Sequence, residues 1–168
     1  MNAVTVCFAD VPPPGWEGRL ESFARKVLAS LGRDGWELSV LLCGDRTMSE
    51  LNLRYRGKEG TTDVLSFAQD PASGDGFPGD GRLRGDIAVS LDELRENSAR
   101  FAVGEDEELR RLLVHGILHI DGMDHATNDE KAEPMLRLQE SILEELADMR
   151  VMPAEEPPGA KPPRGRDG

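Results

Sequence analysis

Aromatic side chains are scarce in this chain, with two Trp, one Tyr and five Phe among 168 residues. Few platforms are therefore on offer for stacking bases, although apolar content of 38% is enough for the core of one compact domain. Positive charge is short as well: 20 Lys and Arg stand against 32 Asp and Glu, for a formal net charge of −12. Phosphate contacts are made with Lys and Arg, so this balance excludes attraction of the whole surface to nucleic acid, and any such contact must be local. The acid gathers in Glu93 to Glu108 and Asp129 to Asp148, whereas Arg46, Arg54, Arg56, Lys58, Arg82 and Arg84 fall mid-chain, where a basic cleft is expected. Long apolar runs are absent too. No stretch approaches the roughly 20 residues of a membrane helix, and MNAVTVCFAD lacks the basic start and apolar run of a signal peptide, so a cytoplasmic protein without membrane attachment is expected. The two cysteines, Cys7 and Cys43, lie in apolar strand-like runs with no CxxC spacing, which predicts core thiols.

The apolar pattern alternates between strand and helix. Val4 to Val6 reads as a strand, and a turn follows at Pro12 to Gly15. From Glu17 to Leu31 apolar residues recur at three and four, the period of a one-sided helix, with Gly32 at the C-cap. Trp36 to Cys43 reads as a strand buried on both faces. Met48, Leu51 and Tyr55 return to helical spacing after a cap at Asp45 or Thr47, and Gly57 closes that helix. Strands are expected at Val64 to Phe67 and Asp86 to Val89, joined by a Gly-, Pro- and Asp-rich loop from Gln69 to Gly81. Ser90 caps a helix through Leu91, Leu94 and Phe101; another spans Leu109 to His119; the last runs from Met135 to Met149 with Pro134 in its first turn. The expected fold is α+β, one domain over residues 1–150 with a small mixed β-sheet of about four strands packed on helices. Residues 151–168, rich in Pro and Gly, cannot bury a core and read as a disordered tail.

Histidine occurs three times, always between positions 115 and 125, in HisGlyIleLeuHisIleAspGlyMetAspHis. His115 and His119 stand four apart in a helical stretch, so their rings project from one face a turn apart and can reach one ion. Gly122 tolerates the left-handed turn that ends a helix, and such a turn can bring His125 back as a third ligand. Three neutral imidazoles leave one tetrahedral position open for water, the pattern of a catalytic rather than a structural zinc site, although imidazole also suits copper, nickel and iron. Asp121 and Asp124 are candidate acceptors for a ligand N–H. The HxxxHxxxxxH spacing is that of the metzincin peptidases, in which a glutamate follows the first histidine as general base; here that position is Gly116, which disfavours peptide hydrolysis.

The run from His115 to His125 resembles the signature of the YbeY endoribonucleases, bacterial metalloproteins of ribosomal RNA maturation. TyrArgGlyLys at 55 to 58 with ThrAspValLeuSerPhe at 62 to 67, and GlyAspIle at 85 to 87, resemble two further blocks of that family. The resemblance spans roughly Val4 to Met149 and implies that His115, His119 and His125 hold one Zn²⁺ whose water takes part in catalysis. It also implies that Arg56 serves the active-site cleft, where a guanidinium can grip two phosphate oxygens in a fixed fork. The implied function is single-strand-specific, zinc-dependent endoribonuclease activity in maturation of the small-subunit ribosomal RNA 3′ end and in ribosome quality control. Implied partners are single-stranded RNA, ribosomal RNA, the small ribosomal subunit and the GTPase Era. Ser66, Asp63 and Asp86 recur in the family-like blocks as minor candidates, and Tyr55, Phe67 and Phe77 are the nearest stacking residues, with core packing the better reading of Phe67. Two alternatives stand beside this one: a metzincin-like hydrolase of peptides or amides, and a non-catalytic, zinc-containing ribosome assembly factor.

Overall fold

The computed structural model describes residues 1–69 and 83–153. Nearly all of the Gly- and Pro-rich loop, including Phe77, lies outside the described residues, as do Arg82 and the tail from residue 154. The elements run β1 (Ala3–Ala9), α1 (Glu17–Ser30), β2 (Glu37–Cys43), α2 (Asp45–Arg56), β3 (Val64–Gln69), β4 (Arg84–Ser90), α3 (Leu91–Phe101), α4 (Glu105–Ile120) and α5 (Pro134–Glu145). The strands form one mixed sheet in the order β1-β2-β4-β3; β1, β2 and β4 are parallel and β3 is an antiparallel edge. This is the α+β architecture expected from the alternation of periods.

One sheet face carries the main core, where Leu38, Val40, Leu42, Ile87 and Val89 pack against α1, α4 and α5. Among the described residues the other face is covered at one end, where Met48 of α2 meets Cys43, Leu65 and Ala88. β2 is therefore buried on both faces only at that end, while Glu37 and Ser39 remain partly exposed. The same half-open face explains the split fate of the cysteines. Cys43 is buried and donates to the Val89 carbonyl at 3.5 Å, and burial pushes its thiol up to about 12. Cys7 is exposed, contrary to the expectation of a core thiol.

Helix ends follow local chemistry with informative exceptions. Ser90 accepts from the Glu93 amide at 3.2 Å, the cap expected of it. Neither Asp45 nor Thr47 caps α2; the N-cap is Gly44, and its orphan amides are met from elsewhere in the chain. Asp92 accepts from the Asp45 amide at 2.9 Å, and Asp10 from the amide and hydroxyl of Thr47 at 2.9 and 2.7 Å. α4 begins at Glu105, a turn before the expected Leu109, with four acidic residues in its first turn, where the helix dipole favours negative charge. α5 stops at Glu145 rather than Met149, although Leu146 and Met149 still pack on the core.

α4 lies unusually close to the sheet. A Cβ on Gly116 would sit 3.1 Å from Ile87 Cδ1, and one on Gly85 would sit 2.8 Å from Ile120 Cδ1, so each isoleucine occupies the space a side chain would need. The packed unit extends just past the boundary read at residue 150. Val151 is fully buried, and buried Asp106 accepts from the amides of Val151 and Met152 at 2.7 and 2.8 Å while holding Arg110 at 2.8 Å. Truncation after Arg150 removes both donors and a buried side chain worth about 1.5–3 kcal/mol. Its melting temperature should fall by roughly 5 °C or more; an unchanged melting curve would show that this C-terminal anchor contributes nothing.

Candidate metal centre

α4 presents His115 and His119 on one face, with ring centroids 4.6 Å apart and Nε2 atoms 3.0 Å apart. The helix then ends in a Schellman turn. Gly122 has φ +93°, its amide donates to the His119 carbonyl, and the Met123 amide donates to the Leu118 carbonyl, both at 3.0 Å. The reversal brings His125 back, its ring 5.1 Å from that of His115 and 5.7 Å from that of His119. One nitrogen from each of the three histidines lies within 4.8 Å of the others.

The hydrogen bonds behind the rings test whether this cluster fits a cation. His115 Nδ1 meets Gln139 Oε1 at 2.7 Å, His119 Nδ1 meets the Met123 carbonyl at 3.0 Å, and His125 Nδ1 meets the Thr127 carbonyl at 2.8 Å. A carbonyl oxygen only accepts, so each Nδ1 carries the hydrogen and each Nε2 is left with a bare lone pair. Lone pairs facing each other at 3.0 Å repel unless a positive charge stands among them. Burial holds His115 below the usual imidazole range; the bond to Gln139 opposes this, and the neighbouring imidazoles and Arg111 add to it, so the ring favours the neutral form that ligates. The triad is thus positioned to bind a metal ion, as its spacing predicts.

The expected supports for the rings are replaced by others. Asp121 pairs with Arg33 at 2.8 and 3.1 Å, and Asp124 accepts from the His125 amide at 2.8 Å; neither receives a ring N–H. Gln139 takes that role for His115 and is only 2% exposed. The sequence does carry a signal for it: Gln139 stands among Met135 and Ile142 on the buried stripe of α5, where a polar residue requires a partner.

His115 and His119 open on a cleft of about 660 Å³. Residues Val64 to Ala68 of β3 form its facing wall, and Arg56, from the last turn of α2, reaches the same cleft with Asp63 and Asp124. The expected basic cleft contracts to this one guanidinium among the described residues. Arg46 pairs with Glu50 at 3.8 Å, Arg84 with Glu37 at 3.0 Å, and Arg54 lies over the Tyr55 ring. Asp63 is engaged structurally, accepting from the Val64 amide at 2.8 Å and from Asn97 at 3.0 Å. Ser66 lines the cleft, whereas Asp86 faces a different cavity and accepts from Gln69 at 3.2 Å. A second cavity of about 560 Å³ is lined by His115 and His125 together with Arg111 and four glutamates, Glu107, Glu108, Glu130 and Glu140.

The family model described as Endoribonuclease YbeY matches residues 15–147. A protein named Endoribonuclease YbeY from Treponema pallidum is 46% identical over 143 residues, covering 85% of this chain and 89% of its own. One of the same name from Treponema denticola is 41% identical over 151 residues, covering 89% and 97%. The solution structure of a Thermotoga maritima protein is similar with a TM-score of 0.52 at 24% identity, over 96% of this chain and 100% of that one, a likeness of fold.

Replacing Gln139 by Leu removes the acceptor that orients His115. Metal affinity, measured by competition with a chelator, should drop roughly 10- to 100-fold. Equal affinity in the two proteins would remove Gln139 from the account of the centre.

Proposed function

Because the chain belongs to the YbeY endoribonuclease family, we propose that it is a zinc-dependent endoribonuclease that cuts single-stranded RNA in the cleft lined by His115, His119 and Arg56. His115, His119 and His125 hold the metal in this reading. Zinc is preferred for three nitrogen donors with one position left open. The observation that carries the proposal is that cleft: a site able to hold a cation and a guanidinium without a carboxylate partner among the described residues line the same space. When bound, the metal supplies a Lewis acid for a phosphate oxygen and lowers the pKa of bound water. Arg56 holds two non-bridging phosphate oxygens and offsets the negative charge that builds on them during in-line attack. The β3 wall excludes water from one side, and the peptide hydrogen bonds of Met123 and Thr127 keep two of the rings from rotating as substrate enters.

The peptidase alternative loses support on geometry as well as on sequence. Gly116, where the base of a metzincin stands, packs close to Ile87, and the Cβ of a glutamate there would lie 3.1 Å from Ile87 Cδ1, so that the isoleucine would have to give way. The assembly-factor alternative leaves Arg56, on the same cleft as His115 and His119, without a purpose. The proposed substrate is the small-subunit ribosomal RNA near its 3′ end, and the proposed partners are the small ribosomal subunit and the GTPase Era, in the cytoplasm. Among the described residues no helix is long and apolar enough to cross a membrane.

Metal-loaded protein incubated with single-stranded RNA should cleave it. Arg56→Ala should lower kcat roughly 10²- to 10³-fold with metal still bound, and His119→Ala should lose both metal and cleavage. Equal cleavage by wild type and both variants would assign the activity to a contaminant; a folded, metal-loaded wild type that cuts no RNA would remove the enzyme reading.

A further inference from the structure

Affinity for RNA has to be found somewhere in a chain of net charge −12 whose cleft is lined by one basic side chain among the described residues. The half-open face of the sheet offers a source that does not depend on charge. Tyr55, on the last turn of α2, is 58% exposed, an outlay of apolar surface that the core does not use. Its ring stands 5.1 Å from that of Phe67 on the edge strand, at an interplanar angle of 51°, and the Arg54 guanidinium lies 5.9 Å from the Tyr55 centroid. Both rings line a cavity of about 470 Å³ together with the apolar Leu41 and Ala88 and the polar Ser39, Gln69 and Asp86. This is an apolar slot with an aromatic wall and polar groups at its edge.

The slot borders the metal cleft across Phe67. Phe67 lines both, and Arg56, the residue after Tyr55, lines the cleft. A strand whose phosphate lies against Arg56 can therefore carry an adjoining base round the β3 edge and onto Tyr55. A base within a duplex is stacked and paired, and it cannot leave its strand to do so without paying for both. We propose that Tyr55 and Phe67 form a stacking subsite for one unpaired nucleobase adjoining the phosphate held in the cleft. The subsite rests on the endoribonuclease reading and explains how an acidic protein, with one cleft arginine among the described residues, selects single-stranded RNA.

The test uses metal-loaded, full-length protein and a single-stranded RNA in which the fluorescent base 2-aminopurine is moved through successive positions. Wild type should quench strongly at one position. Tyr55→Ala should abolish that quenching and weaken binding roughly tenfold, a loss that persists at raised salt because stacking releases no counterions. Tyr55→Phe should restore both, and Phe67→Leu should reduce them in part. Wild-type quenching and affinity in Tyr55→Ala, or a loss that Tyr55→Phe does not restore, would overturn the subsite. Binding is read whether or not the strand is cut: Tyr55-dependent quenching without cleavage removes the nuclease reading and leaves the subsite, and cleavage without such quenching does the reverse.

Discussion

The close seat of α4 on β4 governs where everything chemical in this protein stands. Two positions without side chains make it possible: Ile87 of the strand fills the space beside Gly116, and Ile120 of the helix fills the space over Gly85. With the helix held so near the sheet, its histidine-bearing face turns onto the cleft whose other wall is β3. Any Cβ at either glycine pushes the helix outward or displaces a buried isoleucine, and a well-packed interior transmits that displacement to the residues one turn away. The histidines are thus placed by apolar packing behind them, before any metal enters the argument.

Polar contacts then fix the details that packing leaves free. Gln139 and two backbone carbonyls determine which ring nitrogen carries the hydrogen and leave each Nε2 its lone pair, while one nitrogen of each ring lies within 4.8 Å of the others. Asn97 donates both to Asp63 at 3.0 Å and to buried Glu108 at 3.2 Å, tying the entrance of β3 to the first turn of α4. Glu108 in turn holds Arg111 through two hydrogen bonds. The two walls of the cleft are joined by this chain as well as by the sheet. Charge is used sparingly: among the described residues one guanidinium reaches the cleft while the chain as a whole stays acidic, an arrangement that favours a phosphate already delivered over indiscriminate binding to polyanions.

Much of this was legible in the residues. The helical period of α1, the Ser90 cap and the glycine that turns the chain before His125 all act through neighbours in sequence, and all stand where the pattern put them. The histidine spacing was legible for the same reason, since four residues on a helix is a statement about distance. What escaped acts across the fold. The amides at the start of α2 are met by Asp10 and Asp92, many residues away, so no local cap marks them. Cys7 reads as buried because its strand is apolar, yet it is exposed, outside the small cluster that Met48 builds on the second face of the sheet among the described residues. The mid-chain arginines looked like one cleft; three-dimensional pairing with Glu50, Glu37 and the Tyr55 ring disperses all but Arg56 among those described. Gly116 reads in the sequence as a missing base, and its packing reason lies across the fold, in Ile87.

The central claim is that packing and hydrogen bonds together preset three Nε2 lone pairs for one ion. Anomalous diffraction at the zinc absorption edge from crystals of the metal-loaded protein tests it directly. The account predicts one peak per chain, bonded to Nε2 of His115, His119 and His125, with Gln139, Met123 and Thr127 still behind the rings. A peak bonded through Nδ1, or one lying away from the three histidines, would contradict it.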